Sequence, residues 1–134
     1  EILSGLVGSE MCIRDRVLGY GHAGVRPEVM GVGPIPAVQN LLKKTGLVVS
    51  DFDVIESNEA FAAQAIAVNR GLNLDPAIVN PNGGAIALGH PVGATGAIIT
   101  LKALYQLDNI NGKRALITMC IGGGQGIALA IERI

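Results

Sequence analysis

Three polar residues stand at predicted element boundaries of an otherwise apolar chain, and their side chains suit proton transfer or the binding of a developing negative charge. They are Asn58, His90 and Cys120. Asn58 opens the tetrapeptide Asn-Glu-Ala-Phe at 58–61, where an amide can cap the helix that follows. The same amide can instead point at a ligand, and the tetrapeptide leaves both interpretations open.

His90 lies in residues 82–96, a segment rich in glycine. Pro91 restricts the backbone of the histidine, and the flanking glycines let the main chain approach a ligand or another segment closely. A lone histidine is more often structural than catalytic. A histidine that is merely packed does not need so many glycines, so a catalytic role stays open beside the structural one.

Cys120 ends an apolar run and is followed after one residue by Gly122, Gly123 and Gly124. Buried cysteine is commonly an inert small hydrophobic residue. A thiol beside successive exposed amide groups can, however, have its thiolate stabilised and act as a proton donor or acceptor. The same amides can bind an oxyanion.

An α/β fold is predicted around these residues, because helical and strand patterns alternate along the chain. The predicted helices cover 34–46, 60–70 and 95–107, and the predicted strands cover 17–20, 52–56, 78–79, 114–120 and 126–132. A hairpin is predicted at 121–125. The third helix is apolar nearly all round, with Lys102 as its only charge, which predicts burial on several sides.

Composition narrows the function classes. The 134 residues suit one domain, and 49% apolar against 16% charged residues allow a sizeable core. A net charge of −1 and 3% aromatic residues argue against nucleic acid and an anionic membrane surface. No long apolar stretch predicts a membrane span, and the two histidines and two cysteines lack metal-ligand spacing. We therefore expect a cytoplasmic protein without a metal.

Residues 1–16 show no sustained periodicity and receive no fold. They look like a non-native leader, in which Cys12 is incidental. The predicted domain comprises residues 17–134.

Three blocks, in this order, resemble the C-terminal half of the thiolases: Asn-Glu-Ala-Phe at 58–61, the glycine-rich 82–96 with Gly-His-Pro, and Cys120 before its glycines. Met-Gly-Val-Gly-Pro at 30–34 extends the match upstream. The resemblance implies a mixed five-stranded sheet packed by helices, with the third helix buried against its twin in the other half. It also implies that the N-terminal half, which carries the nucleophilic cysteine, is missing, so this chain alone should be inactive.

The resemblance further implies a role for each site residue. His90 would activate the nucleophile as a base, and Cys120 would move the proton at the α-carbon. Asn58, through a water, and His90 would stabilise the enolate oxygen. The backbone N–H of Gly122 would serve the oxyanion of acyl transfer.

Coenzyme A thioesters would be substrates, with no bound cofactor. Met30, Ala60 and Phe61 match positions that line the pantetheine and acyl end of the substrate.

Among thiolases the sequence looks most similar to acetyl-CoA C-acetyltransferases, on residues 33–37 and 58–64. A degradative 3-ketoacyl-CoA thiolase of fatty acid metabolism is the alternative. A decarboxylating ketoacyl synthase is disfavoured by Cys120, and a non-catalytic thiolase-like acyl-CoA binding protein is disfavoured by the joint presence of Asn58, His90 and Cys120. The complete protein would be a homodimer or homotetramer.

Overall fold

The computed structural model describes residues 15–134, which form an α/β fold around one mixed four-stranded sheet. The strands are β1 Asp15–Gly24, β2 Val54–Ser57, β3 Arg114–Ile121 and β4 Gln125–Arg133. Their order is β1-β4-β3-β2, and only the β2–β3 pair is parallel. The predicted α/β class is therefore confirmed.

The predicted fifth strand is wrong. Residues 78–79 make a single parallel bridge, Ile55 with Val79, beside β2. The N–H of Ile55 donates to the Ile78 carbonyl (2.9 Å) and the N–H of Asn80 to the Ile55 carbonyl (2.8 Å). Asn80 then has a left-handed backbone, with φ of 47°. The chain turns away after Val79, so the ladder cannot lengthen into a strand.

Strand β1 begins at Asp15, two residues before the predicted start of the domain. Asp15 pairs with Arg133 and Arg16 with Glu132 in the antiparallel ladder to β4. The expectations for residues 1–14, including Cys12, concern residues outside the described range.

Residues 15–134 contain four α-helices, namely α1 Pro34–Thr45, α2 Ala62–Gly71, α3 Ala85–Leu88 and α4 Thr95–Ile110. Two 3₁₀ segments, Pro27–Val32 and Val49–Asp51, lie in the connections. Helix α1 has residues typical of helix ends: proline in the first turn, Lys43 and Lys44 in the last turn, and Gly46 as a left-handed cap (φ 74°).

The sheet has a core on each face, because neighbouring residues of a strand point to opposite sides. On one face Ile55 and Leu116 pack with residues of α1 and α2. On the other face Val54, Ala115 and Ile117 pack with α4. The molecule thus has three layers, with the sheet between α1/α2 and α4.

Helix α4 is buried along one stripe, where it contacts the sheet. Its other apolar side is the one that the resemblance assigns to the twin helix of the other half. The buried positions recur every four residues, at Thr95, Ile99, Ala103 and Leu107. On the outer side Leu101 is 52% and Tyr105 61% exposed. The reason is that α4 contacts the sheet on one side, whereas nothing else in residues 15–134 covers its apolar outer side.

Within residues 15–134, no helix combines the length and apolar character needed to cross a membrane.

Candidate active site

The site lies where β2 and β3 end, because parallel neighbouring strands bring their carboxyl ends to one edge of the sheet. Asn58 follows β2 directly, and its N–H donates to the Thr118 carbonyl (2.9 Å), which prolongs the ladder by one residue. The residue is 2% exposed. The N-terminal cap of α2 is Phe61, not Asn58. The Asn58 side chain is therefore not engaged as a helix cap.

His90 lies in the loop between α3 and α4 and contacts Asn58. The Asn58 Nδ2 atom is 3.5 Å from His90 Nε2, at the limit of a hydrogen bond. On the other side of the ring, His90 Nδ1 is 2.7 Å from the Thr95 Oγ1 atom. Thr95 was not among the residues selected from the sequence. Its position at the first turn of the helix after the histidine loop was the signal that could have indicated it.

Cys120 is the second-last residue of β3 and is 7% exposed. Burial raises the pKa of the Cys120 thiol, and a backbone hydrogen bond opposes this with a smaller effect. The neighbouring amides therefore do not make a stable thiolate in this chain. Cys120 is a protonated thiol at neutral pH, which suits a proton donor.

The turn after Cys120 connects β3 and β4 as the predicted hairpin. Gly123 and Gly124 have positive φ angles of 77° and 84°, which L side chains rarely adopt. Gly122 differs, because a Cβ atom there would meet no atom within 4 Å. Neither backbone conformation nor packing within the described residues requires glycine at position 122.

One open cavity of about 340 Å³ joins most of the predicted site. Its walls include six of the selected residues, namely Met30, Ala60, Phe61, His90, Cys120 and Gly122. Asn58 and Thr95 line a second, small cavity. Asn58 is connected to the first cavity by its contact with His90. The structure thus brings all seven residues to one region. Val92, Met119 and Ile121 also line the cavity and were missed, since apolar residues give no chemical signal in a sequence.

A buried ion pair lies beneath this site. Lys102 Nζ on α4 donates to Glu56 Oε2 (2.8 Å) and to the Gly83 carbonyl (2.5 Å). Burial raises the pKa of Glu56, and the hydrogen bond and charge of Lys102 oppose that rise. The pair ties strand β2, helix α4 and the loop leading to His90 to one another. Lys102 was the only charge of the predicted helix 95–107, and this was its signal in the sequence.

A second carboxylate organises the same loop. Glu59 Oε1 accepts from Asn80 Nδ2 (3.4 Å), and Glu59 Oε2 accepts from the backbone N–H of Ile86 (3.2 Å). Among residues 15–134 no group of three or more His, Cys, Asp or Glu side chains is arranged to hold a metal ion. The acidic residues near the site thus serve as hydrogen-bond acceptors for its loops.

A mixed sheet thus brings an amide, an imidazole and a thiol to one edge, and comparison with known proteins identifies the family. Residues 11–133 match the family model described as "Thiolase, C-terminal domain", and the chain belongs to that family.

The chain is 65% identical over 119 residues to the beta-ketothiolase BktB of Cupriavidus necator, covering 89% of this chain and 30% of that protein. It is 61% identical to the beta-ketoadipyl-CoA thiolase of Pseudomonas knackmussii, covering 90% and 31%. The crystal structure of the Bacillus anthracis acetyl-CoA acetyltransferase superposes with a TM-score of 0.89 at 45% identity, covering 90% and 31%. The chain therefore spans about a third of the length of these relatives.

Proposed function

We propose that this chain forms the C-terminal part of a thiolase active site, which transfers acyl groups between coenzyme A thioesters and makes or cleaves the adjoining carbon–carbon bond. The observation that carries the proposal is one cavity lined by His90, Cys120 and Gly122, with Asn58 in contact with the histidine. An inert structural cysteine would not need an imidazole and a glycine turn beside it.

Two steps divide the work between His90 and Cys120. In acyl transfer, His90 takes the proton of a nucleophilic cysteine supplied by a part of the enzyme outside residues 17–134, and that cysteine holds the acyl group. In the carbon–carbon step, Cys120 exchanges a proton with the α-carbon. Its raised pKa keeps the thiol protonated at neutral pH, ready to protonate the enolate formed on cleavage.

Each step also develops a negative oxygen that needs preorganised donors. Asn58 and His90 serve the enolate oxygen, with a water between Asn58 and the substrate. The backbone N–H of Gly122 serves the tetrahedral intermediate. The open space at the position of a Gly122 Cβ supports this role, because a side chain there would occupy room that the thioester needs.

The substrate is a coenzyme A thioester, with Met30, Ala60 and Phe61 against its pantetheine and acyl end. An acetyl-CoA C-acetyltransferase is the first candidate. A 3-ketoacyl-CoA thiolase with a wider acyl range is the second, favoured by the 65% identity to a beta-ketothiolase. Relative rates of thiolysis with acetoacetyl-CoA and with a longer 3-ketoacyl-CoA distinguish the two candidates.

A chimera tests the chemistry: residues 15–134 replace the corresponding part of the Cupriavidus necator beta-ketothiolase. We expect Cys120→Ala to lower condensation by about 10²–10⁴-fold while acyl exchange between thiols largely survives. His90→Ala should impair both reactions. If Cys120→Ala abolished acyl exchange and left condensation within a few-fold of the parent, Cys120 would be a nucleophile or a structural residue.

The 134-residue chain alone should not cleave acetoacetyl-CoA, because Cys120 is assigned to proton transfer rather than nucleophilic attack. It should also self-associate through the exposed apolar side of α4, where Leu101 and Tyr105 lie. A chimera that binds acyl-CoA but catalyses neither reaction would favour the alternative of a non-catalytic binding protein.

A further inference from the structure

Thr95 holds a position that the roles above leave unassigned. It is the first residue of α4 and is 2% exposed. Its hydroxyl oxygen lies 2.7 Å from His90 Nδ1 and 3.0 Å from the Pro91 carbonyl oxygen. A hydroxyl with two such short contacts, away from solvent, must have a defined proton position.

The two contacts together determine which nitrogen of His90 carries the proton. The geometry has the Thr95 hydroxyl donating its single proton to the Pro91 carbonyl, which also accepts the backbone N–H groups of Ala94 (2.8 Å) and Thr95 (2.9 Å). The same hydroxyl must then accept from His90, which requires a proton on Nδ1. If Nδ1 carried no proton, the Thr95 hydroxyl could donate to only one of its two neighbours. The other neighbour, either Nδ1 or the Pro91 carbonyl, would then face a lone pair of the Thr95 oxygen at hydrogen-bond distance.

The opposite ring nitrogen agrees with this assignment. With the proton on Nδ1, the neutral ring has a free lone pair on Nε2. Asn58 Nδ2, a donor, is the atom that the structure places toward Nε2, at 3.5 Å. A base must offer an unprotonated nitrogen to its substrate, and the wrong tautomer of a catalytic histidine is inactive.

We propose that Thr95 is a positioning residue that fixes the Nδ1–H tautomer of His90 and the orientation of its ring. The inference rests on the proposed function for its catalytic consequence, whereas the tautomer itself does not depend on that function. Thr95 does not touch the reacting atoms. It acts through the proton that it accepts from the histidine.

The first test measures the tautomer in the 134-residue chain. The ¹⁵N chemical shifts of the His90 ring, recorded at alkaline pH where imidazole is neutral, distinguish a protonated Nδ1 from a protonated Nε2. We expect protonated Nδ1 in the parent chain and in Thr95→Ser, and a mixture of tautomers in Thr95→Val. Protonated Nε2 in the parent chain would overturn the proposal without any variant, even if Thr95→Val failed to fold.

A matched control is present on the same helix. Thr100 makes the same bond to the carbonyl four residues earlier, from its Oγ1 atom to Gly96 (2.8 Å), but its hydroxyl has no hydrogen bond to His90 or Pro91 among the described contacts. Thr100→Val should therefore keep the parent tautomer. A shift in tautomer with Thr100→Val would mean that any loss of a helix back-bond disturbs the histidine, which would contradict a specific role for Thr95.

The second test measures rate in the chimera. Loss of one hydrogen bond to the ring should lower kcat by about 10-fold in Thr95→Val, with little change in KM, while Thr95→Ser and Thr100→Val stay near the parent. Unchanged kcat in Thr95→Val would refute the catalytic consequence. A parent chimera with no thiolase activity would instead refute the proposed function, and the ring shifts would still decide the tautomer.

Discussion

Two glutamates of the same sheet, Glu56 near the site and Glu132 at the far end, are both almost inaccessible, at 0% and 4% exposed. Glu132 lies among three basic side chains, those of Arg16, Lys113 and Arg114. Glu56 has one, Lys102, and its second carboxylate oxygen has no hydrogen-bond partner among the described residues. One carboxylate is fully surrounded by opposite charge, and the other is only half satisfied.

Their pKa values move in opposite directions. The hydrogen bond from Arg16, followed by contributions from Arg114 and Lys113, lowers the pKa of Glu132, although burial opposes this. Burial dominates at Glu56 and raises its pKa. The surroundings of Glu132 therefore favour its ionised form, which stabilises the folded state. At the site end, burial makes the ionised form of Glu56 unfavourable. Its partner Lys102 also donates to the Gly83 carbonyl in the loop that leads to His90.

The largest effect is expected for Lys102→Met. The change leaves Glu56 buried without an opposite charge, which costs about 3 kcal/mol in comparable pairs. Denaturant unfolding of the chain measures the difference in free energy. Lys113→Met is the matched control, because its side chain is 67% exposed, so its pair with Glu132 is screened by solvent and its loss should change stability far less. Equal losses in the two variants would remove the contrast between the two glutamates.

The next effect is the pH dependence of Glu132→Gln. Because the folded-state pKa of Glu132 lies below its ordinary value of 4.5, the folded state binds fewer protons, so ionised Glu132 stabilises the chain above that value. The parent should be more stable than Glu132→Gln at neutral pH. The difference should disappear as the pH falls through the folded-state pKa. A difference that is constant from neutral to acid pH would show that the charge is not responsible.

Glu56→Gln should show the opposite slope. Its folded-state pKa lies above 4.5, so the folded parent binds more protons and loses stability as pH rises from 4.5 through the raised pKa. The glutamine variant lacks this loss. Its stability relative to the parent should therefore increase with pH over that window, in unfolding experiments at several pH values. A slope of the same sign as that of Glu132→Gln would contradict the comparison.

The smallest effect is expected for Arg16→Ala. The Arg16 side chain is 62% exposed, so its pair with Glu132 is screened by solvent and should contribute little to stability. Two other basic residues stay near the carboxylate. Thermal unfolding at low and high salt should show a small loss that shrinks with salt, and a loss as large as that of Lys102→Met would show that Glu132 depends on one partner.

Local signals in the sequence were sufficient where local chemistry decides the structure. The proline, lysine and glycine of α1 define its ends, and two glycines with positive φ, Gly123 and Gly124, define the hairpin after Cys120. The convergence of Asn58, His90 and Cys120 followed from the family's blocks, since their sequence separation alone gives no distance.

The predictions failed where tertiary contacts decide. A left-handed Asn80 limits the expected fifth strand to one bridge, and this backbone angle is not visible in the residue pattern. The exposed apolar outer side of α4, by contrast, is what the resemblance implies for a helix whose twin lies in the other half. The sequence could mark Thr95 and Lys102 as unusual, but their contacts with His90 and Glu56 depend on the placement of neighbouring loops, which no local pattern encodes.

The glycines of the β3–β4 hairpin predict two different patterns of mutational tolerance. At Gly126 a Cβ atom would lie 2.1 Å from the backbone of Gly33, so a library selected only for folded protein should retain glycine there. At Gly122 the same atom meets nothing within 4 Å, so that selection should accept alanine or serine. Selection for catalysis should restore glycine at 122. Natural sequences that have kept the fold but lost the reaction should therefore diverge first at position 122, while position 126 stays fixed.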